Sequence, residues 1–449
     1  MTSLRSWLRR GPAVFAIALV ASLLLVACSD EDGDSTPTET ASTATGTATG
    51  EATSTATEAA TAVATRDTSG PLKIGYLADF TGALAEFGPA IQTGVEMAIE
   101  DINAAGGVHG MPVELATGDT QLDPTVAVEE ARRLIEIEGV HAIVGPLASG
   151  IAIAVAESVA ADAKVPVISP SATSPAVTGA NDNGFLFRST TSDAAQGIIL
   201  AQLVTDEGVD NVGVVYLNNA YGQGLEQAFA GAYGGTVTAA SIEETGTSYL
   251  SELQAAKAGG AEYLIAIGYP DQAKIFLREA IENDIFTQFF FVDGTKSPLL
   301  ITDLGADVLE GFKGTAAASG PESDSTKAWN AQYEAKYGAL PETPYVREAY
   351  DATIAIALAA EKARSNDGVA IRDQLVSVAG PPGDVVVAGA EGILAGFELV
   401  RGGTGVNYEG AATTLDWNDV GDVTSGYIGV WQYSGGAIVD LEAFPFTLQ

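Results

Sequence analysis

Few residues of this chain could do covalent chemistry. Its 449 residues include two histidines, His109 and His141, and one cysteine, Cys28. Two histidines far apart in sequence leave little for a His-rich zinc site or for most His-dependent general acid–base catalysis. A single cysteine excludes an intrachain disulfide, a thiolate metal cluster and a CxxC redox pair. No Walker sequence, HExxH, GxSxG elbow or EF-hand loop occurs. Tyr221-Gly222-Gln223-Gly224 resembles part of a GxGxxG loop, but Gln227 stands where the third glycine belongs, which argues against nucleotide binding. Carboxylates abound, yet none stands out as a pair in apolar surroundings, so glycoside hydrolysis has no positive support. No catalytic residue, cofactor or metal is expected, and the chemistry left is that of binding.

The binding candidates fall in a few loops. Gly145-Pro146-Leu147-Ala148-Ser149-Gly150 precedes a helical stretch, where free N–H groups and the Ser149 hydroxyl suit an anionic group. Ser149 serves equally as an N-cap, and spacing favours neither role. Ser169-Pro170-Ser171-Ala172-Thr173-Ser174-Pro175 is a stiff loop of small hydroxyl residues, for which an ordinary turn is the simpler reading. In Gly268-Tyr269-Pro270-Asp271 the carboxylate stands at a helix start, as a cap or as counter-ion for a ligand ammonium; the cap is the simpler reading on sequence alone. Phe87 and Tyr221 are aromatic candidates that could equally pack under loops.

The elements that hold these loops follow an α/β rhythm. Strands are expected over 72–78, 113–116, 141–144 and 165–169, with helices over 88–105, 124–138 and 151–163 between them. Ile91, Val95, Ala98, Ile99 and Ile102 line one helical face, and Gly106-Gly107 stops that helix. The rhythm restarts after Arg188. Helices are read over 193–205, 222–231, 248–258 and 271–282, and strands over 212–217, 236–242, 262–267 and 289–292. Helices at 326–337, 345–364, 370–379 and 391–401 and short strands at 413–417 and 427–433 complete the pattern. Two comparable βα series imply two lobes, each a parallel sheet with helices, and ligands bind beyond the carboxyl ends of such strands. The candidate loops lie there.

The N-terminus reads as an address. Arg5, Arg9 and Arg10 precede an apolar run over 12–26, too short for a comfortable membrane span of about 20 residues. The run ends in Leu25-Val26-Ala27-Cys28, which resembles a bacterial lipobox, so Cys28 is the expected lipidation site after cleavage of a signal peptide over 1–27. Residues 28–70, rich in Thr, Ala, Ser and Gly, are read as a disordered tether. The chain carries 21 Lys+Arg against 58 Asp+Glu, a formal charge of −37. That balance argues against nucleic acid, which needs clustered basic residues.

The stretch 75–88, Gly-Tyr-Leu-Ala-Asp-Phe-Thr-Gly-Ala-Leu-Ala-Glu-Phe-Gly, resembles the opening of the leucine/isoleucine/valine-binding protein family, type I periplasmic binding proteins of ABC importers. Ile102-Asn103-Ala104-Ala105-Gly106-Gly107, Gly145 to Ser149, Ile168 to Thr173, Tyr221-Gly222 and Gly268 to Asp271 follow in the family's order and spacing. The resemblance runs from about Leu72 to the C-terminus. It implies two Rossmann-like lobes closing as a Venus-flytrap clamp about a multi-strand hinge. The first lobe is expected to hold residues 71–189 plus 294–428 and the second 190–293 plus 429–449, with a crossover near Asp293-Gly294. By resemblance, Ser149, Ser171 and Thr173 hold the ligand's carboxylate and ammonium, Asp271 neutralises the ammonium, and Phe87, Leu147, Ala148 and Tyr221 surround the side chain. Ala172 belongs to the same loop, and Tyr249 is a further candidate. The implied protein is an extracytoplasmic, lipid-anchored, monomeric binder of an amino acid or similar metabolite. It delivers that ligand to an ABC permease and its ATPases. The alternative is a sensory protein for amides, aromatic acids or other small carboxylates.

Overall fold

The computed structural model describes residues 69–320 and 323–447. The expected signal peptide, the lipidation site Cys28 and all but the last two residues of the expected tether lie outside them. Two sheets organise the described chain. The first is parallel and runs β2-β1-β3-β4-β5, from β1 (Lys73–Ala78), β2 (Glu114–Asp119), β3 (Ala142–Val144), β4 (Val167–Ser169) and β5 (Leu186–Arg188). The second runs β14-β13-β10-β9-β8-β6-β7. Its parallel strands are β6 (Asn211–Leu217), β7 (Thr236–Ile242), β8 (Tyr263–Ile267), β9 (Gln288–Phe291) and β10 (Lys313–Ala318). The parallel strands β11 (Asp384–Val387) and β12 (Val406–Glu409) form a separate pair. In the second sheet an antiparallel ribbon, β13 (Ser425–Ser434) and β14 (Ala437–Thr447), closes one edge. β3 and β4 are wholly buried, as expected of parallel strands covered on both faces, which read as unbroken apolar runs.

In each sheet the strand order reverses once, between β1 and β3 and between β6 and β8. Chain connections leave those neighbouring strands in opposite directions, which opens a crevice at their carboxyl ends. The loops following β1, β3, β6 and β8 therefore face that crevice.

The lobe boundaries differ from the sequence reading. Residues 294–312, placed in the first lobe from sequence, lead directly into β10, which pairs with β9 and β13 in the second sheet. The crossover expected near Asp293-Gly294 is thus absent there. The chain leaves the second sheet only after β10, and the helix Val346–Ala363 packs on the helix Phe87–Ala104 and on β3 of the first. β10 reads Lys-Gly-Thr-Ala-Ala-Ala, too weak a β signal to be recognised without its neighbours. The strand expected over 413–417 is irregular: Leu415 adopts φ 53°, which breaks an extended run, and only an isolated bridge joins Trp417 to Val423.

Two local constraints carry much of the packing. Gly94 lets its helix press against Val346, whose carbonyl oxygen lies 2.1 Å from where a Cβ would stand. Arg188, at the end of β5, is buried; its Nε donates to Asp422 Oδ1 at 2.7 Å. Its Nη1 donates to the carbonyls of Thr173 and Ser174, both at 3.0 Å, and Nη2 donates to Thr178 Oγ1 at 3.0 Å. A charge taken so far from water is stable only with partners of this kind.

Gly94→Ala should therefore destabilise, by about 1–3 kcal/mol in chemical denaturation, because overpacking outweighs the gain in helix propensity of about 1 kcal/mol. Arg188→Met should cost more, about 3–5 kcal/mol, since it strands the buried Asp422 carboxylate.

Candidate functional site

At the carboxyl ends of the strands the two sheets share a narrow cavity, far tighter than an open small-molecule site. The segment after β1 supplies Leu84 and Phe87, the loop after β3 supplies Leu147, Ala148 and Ser149, and the loop after β4 supplies Ser171. From the second sheet come Tyr221 after β6, Tyr269 after β8, and Asp293 with Gly294 after β9. Tyr345, on the segment returning to the first sheet, completes the wall.

Asp293 is the carboxylate in this cavity. It is buried, accepting from Tyr221 Oη at 2.9 Å and Gln196 Nε2 at 2.8 Å on Oδ1, and from Tyr345 Oη at 2.6 Å on Oδ2. Burial raises its pKa above the usual carboxylate value, against the opposing pull of those three donors. Gly294 must be glycine, because a Cβ there would stand 2.5 Å from the Gly268 carbonyl oxygen and 2.8 Å from Tyr221 Oη. Tyr221 itself stacks on Tyr269 with ring centres 5.4 Å apart.

A second buried acid stands close by. Asp193 opens the helix Asp193–Asp206, whose cap is Ser192. Burial first, then the charge of Asp293, push its carboxyl well above the usual range, while the Thr173 hydroxyl and Arg188 pull the other way. Among the described residues no hydrogen bond of good geometry reaches the Asp193 oxygens, the Thr173 hydroxyl being a nearby donor that acts on them. Two buried carboxyls thus feel each other's charge, and an added cation would be favoured near them.

Of the residues singled out from sequence, Phe87, Leu147, Ala148, Ser149, Ser171 and Tyr221 line the cavity together. Ser149 is the first residue of the helix Ser149–Val155 and not its cap; its Oγ accepts from the Ser174 amide at 3.2 Å. Ser171 Oγ ties its loop to the Leu147 carbonyl at 2.9 Å. Ala172 and Thr173 stand behind the lining, with their carbonyls held by Arg188. Asp271 is placed elsewhere. Pro270 opens the helix Pro270–Glu282 and turns Asp271 outward, where it pairs with Lys274 at 2.6 Å with its side chain 49% exposed. The counter-ion role read for Asp271 therefore has no geometric support, and Asp293 stands in the cavity instead. Tyr249 also lies away from it, its hydroxyl given to the Glu243 and Gly246 carbonyls.

Three contacts join the segments of the two sheets around this cavity. The Glu86 carboxylate accepts from Ser297 Oγ and, at 3.4 Å, from the Leu299 amide. Ser174 Oγ donates to the Ala220 carbonyl at 2.7 Å, and Tyr345 reaches Asp293. Sequence reasoning missed Asp193, Tyr269 and Tyr345. Asp193 carried a signal, as an acid immediately after the hydroxyl run Thr190-Thr191-Ser192; Tyr345 had none, since its place depends on the chain returning from the other sheet.

With this geometry in hand, comparison with known proteins is direct. Residues 71–419 match the family model of periplasmic binding protein. A chemotactic signal transduction system substrate-binding protein, BasB, of Halobacterium salinarum is 29% identical over 80% of this chain and 86% of its own length. A Leu/Ile/Val-binding protein homolog of Brucella melitensis is 27% identical over 83% of this chain and 94% of its own. The crystal structure of a leucine-binding protein, LivK, from Thermotoga maritima superposes with a TM-score of 0.69 at 25% identity, covering 83% of this chain and 98% of that one. The α/β fold is the two-lobed one of type I periplasmic binding proteins, and the chain belongs to the periplasmic binding protein family.

Proposed function

We propose that this protein is an extracytoplasmic solute-binding protein that closes its two lobes on a small α-amino acid and hands it to an ABC permease. The observation that carries the reading is the buried Asp293 beside an apolar wall, with a second buried acid, Asp193, near enough to feel its charge. An ammonium placed against Asp293 in the cavity would supply a counter-charge to a buried carboxyl that has only neutral donors. The Ser149 hydroxyl and the Ser171 backbone N–H, across the cavity, would receive the ligand's carboxylate, and Leu84, Phe87 and Leu147 would cover a short aliphatic side chain. The match to Leu/Ile/Val-binding relatives supports that ligand class. Such a site captures and releases; it performs no reaction on its ligand. In the same reading the N-terminal segment anchors the protein through a lipid on Cys28. A second reading, a sensor reporting to a receptor, draws support from the chemotactic Halobacterium salinarum relative. It uses the same clamp with a different membrane partner.

The test is thermal unfolding of the purified full chain against a panel of amino acids, amides, aromatic acids and polyamines. A ligand at a hundred times its dissociation constant should add about 2.7 kcal/mol, a shift of a few degrees. The shift should come from aliphatic α-amino acids, disappear in Asp293→Asn and survive in Asp271→Ala. A shift produced by carboxylates without an α-amino group, or one that survives Asp293→Asn, would contradict the assignment. Glu86→Ala should weaken ligand binding by roughly two- to tenfold, as it removes one interlobe contact of modest worth.

A further inference from the structure

A second cavity opens on the far side of Tyr345, with about 1110 Å³ of empty space, part of it open to solvent. Like the cleft, it takes its walls from both sheets: Trp431 of β13 and Asp440 of β14 from the second, and Asn330, Arg347 and Glu348 from helices packed on the first. It therefore lies where the chain crosses between the lobes.

Two of its charged groups, Arg347 and Glu348, make no ion pair among the described residues. The Arg347 guanidinium stacks 4.7 Å above the Trp329 ring, and its Nε and Nη2 both donate to Asn330 Oδ1, at 3.1 and 2.8 Å. Among the described residues no carboxylate comes within ion-pair distance of it. Glu348 is buried; its own backbone N–H donates to its carboxyl, and the charges of Arg347 and Lys296 reach it without an ion pair. The buried carboxyls Asp101 and Asp351 differ: Asp101 receives Tyr350 Oη and Gln332 Nε2, and Asp351 receives Tyr408 Oη and two backbone amides. Consecutive helical residues diverge by about 100°, so Arg347 and Glu348 face one cavity without meeting each other. Lys296 is already paired with Asp440 at 2.7 Å, whereas Arg347 and Glu348 feel each other's charge without forming an ion pair. A simple anion would leave Glu348 unpaired, and a simple cation would leave Arg347 unpaired.

We propose that this hinge cavity is a second ligand site for a small zwitterion of the α-amino-acid class, with its carboxylate on Arg347 and its ammonium on Glu348. Trp431 Nε1, buried without a partner in the same wall, supplies a further donor. Burial lifts the Glu348 carboxyl to about 7, so an arriving ammonium would ionise it. Tyr345 lines both cavities, and its hydroxyl holds Asp293 at 2.6 Å, so occupancy of the hinge site biases the cleft, and the cleft biases it by the same factor.

Isothermal titration of the purified full chain with glycine, L-alanine and L-leucine tests this, with acetate and methylammonium as half-ligands. At least one zwitterion should give two binding events. Arg347→Gln and Glu348→Gln should each weaken the same event by roughly ten- to a hundredfold, the worth of one charge-assisted hydrogen bond, while the other event remains. Thr343→Trp, which fills the cavity without touching its charges, should remove that event too, and an unchanged melting temperature would show that the variant is folded. Asp293→Asn should remove the other event, so failure of the cleft assignment and failure of this one are separately visible. A single event that only Asp293→Asn abolishes would overturn the proposal. So would a second event indifferent to all three hinge variants, or acetate binding at Arg347 as tightly as any amino acid.

Discussion

Two carboxyls buried side by side are the constraint on which the cleft depends. Asp193 and Asp293 belong to different segments of the second sheet's lobe, and both are almost wholly removed from water. Burial raises the cost of ionising both, and for Asp193 the charge of Asp293 adds to it. Asp293 is partly compensated by Tyr221, Gln196 and Tyr345, hydroxyl and amide donors drawn from three stretches of chain. Asp193 has only the nearby Thr173 hydroxyl, outside good hydrogen-bonding geometry. An arrangement of this kind weakens the ligand-free protein and strengthens any complex that brings a positive charge near the two acids.

The fold explains how such a pair comes to lie under an apolar wall from the other lobe. Reversal of strand order in each sheet opens a crevice at the same end of both, and the loops after β1 and β3 face those after β6, β8 and β9. Arg188 fixes the Thr173-Ser174 turn from behind, while the Ser171 hydroxyl fixes it to the β3 loop. The first lobe's share of the site is thereby rigid. Glu86, Ser174 and Tyr345 then reach across to the second lobe. Contacts made only when the lobes meet are those through which a ligand shifts the balance between open and closed forms.

Much of this was legible in the sequence, for identifiable reasons. Strands buried on both faces announce themselves as apolar runs, and the loops that end them can be found by position; position singles out Ser149, Phe87 and Tyr221 as candidates, while Leu147 and Ser171 come from the family resemblance. The choice between Asp271 and Asp293 was not legible. Both follow an apolar strand, but Pro270 starts a helix that carries Asp271 into solvent, whereas Asp293 leaves β9 directly and stays buried. β10 escaped because an Ala- and Gly-rich strand takes its identity from the neighbours it pairs with, and assigning its residues to the wrong lobe misplaced the crossover. Tyr345 reaches the site through a return connection no local pattern encodes, in a left-handed backbone conformation with φ 74°.

The central claim, that a ligand ammonium is received by carboxyls whose pKa values burial has raised, has a direct thermodynamic signature. Binding must release protons, because a cation lowers pKa values that burial and, for Asp193, the charge of Asp293 have raised. Titration calorimetry of an aliphatic amino acid in buffers of differing ionisation enthalpy near neutral pH measures that release. Net proton release to the buffer, growing as pH is lowered toward the ordinary carboxylate range and reduced in Asp193→Asn, is the expected result. Binding with no dependence on buffer, or with proton uptake, would contradict the claim.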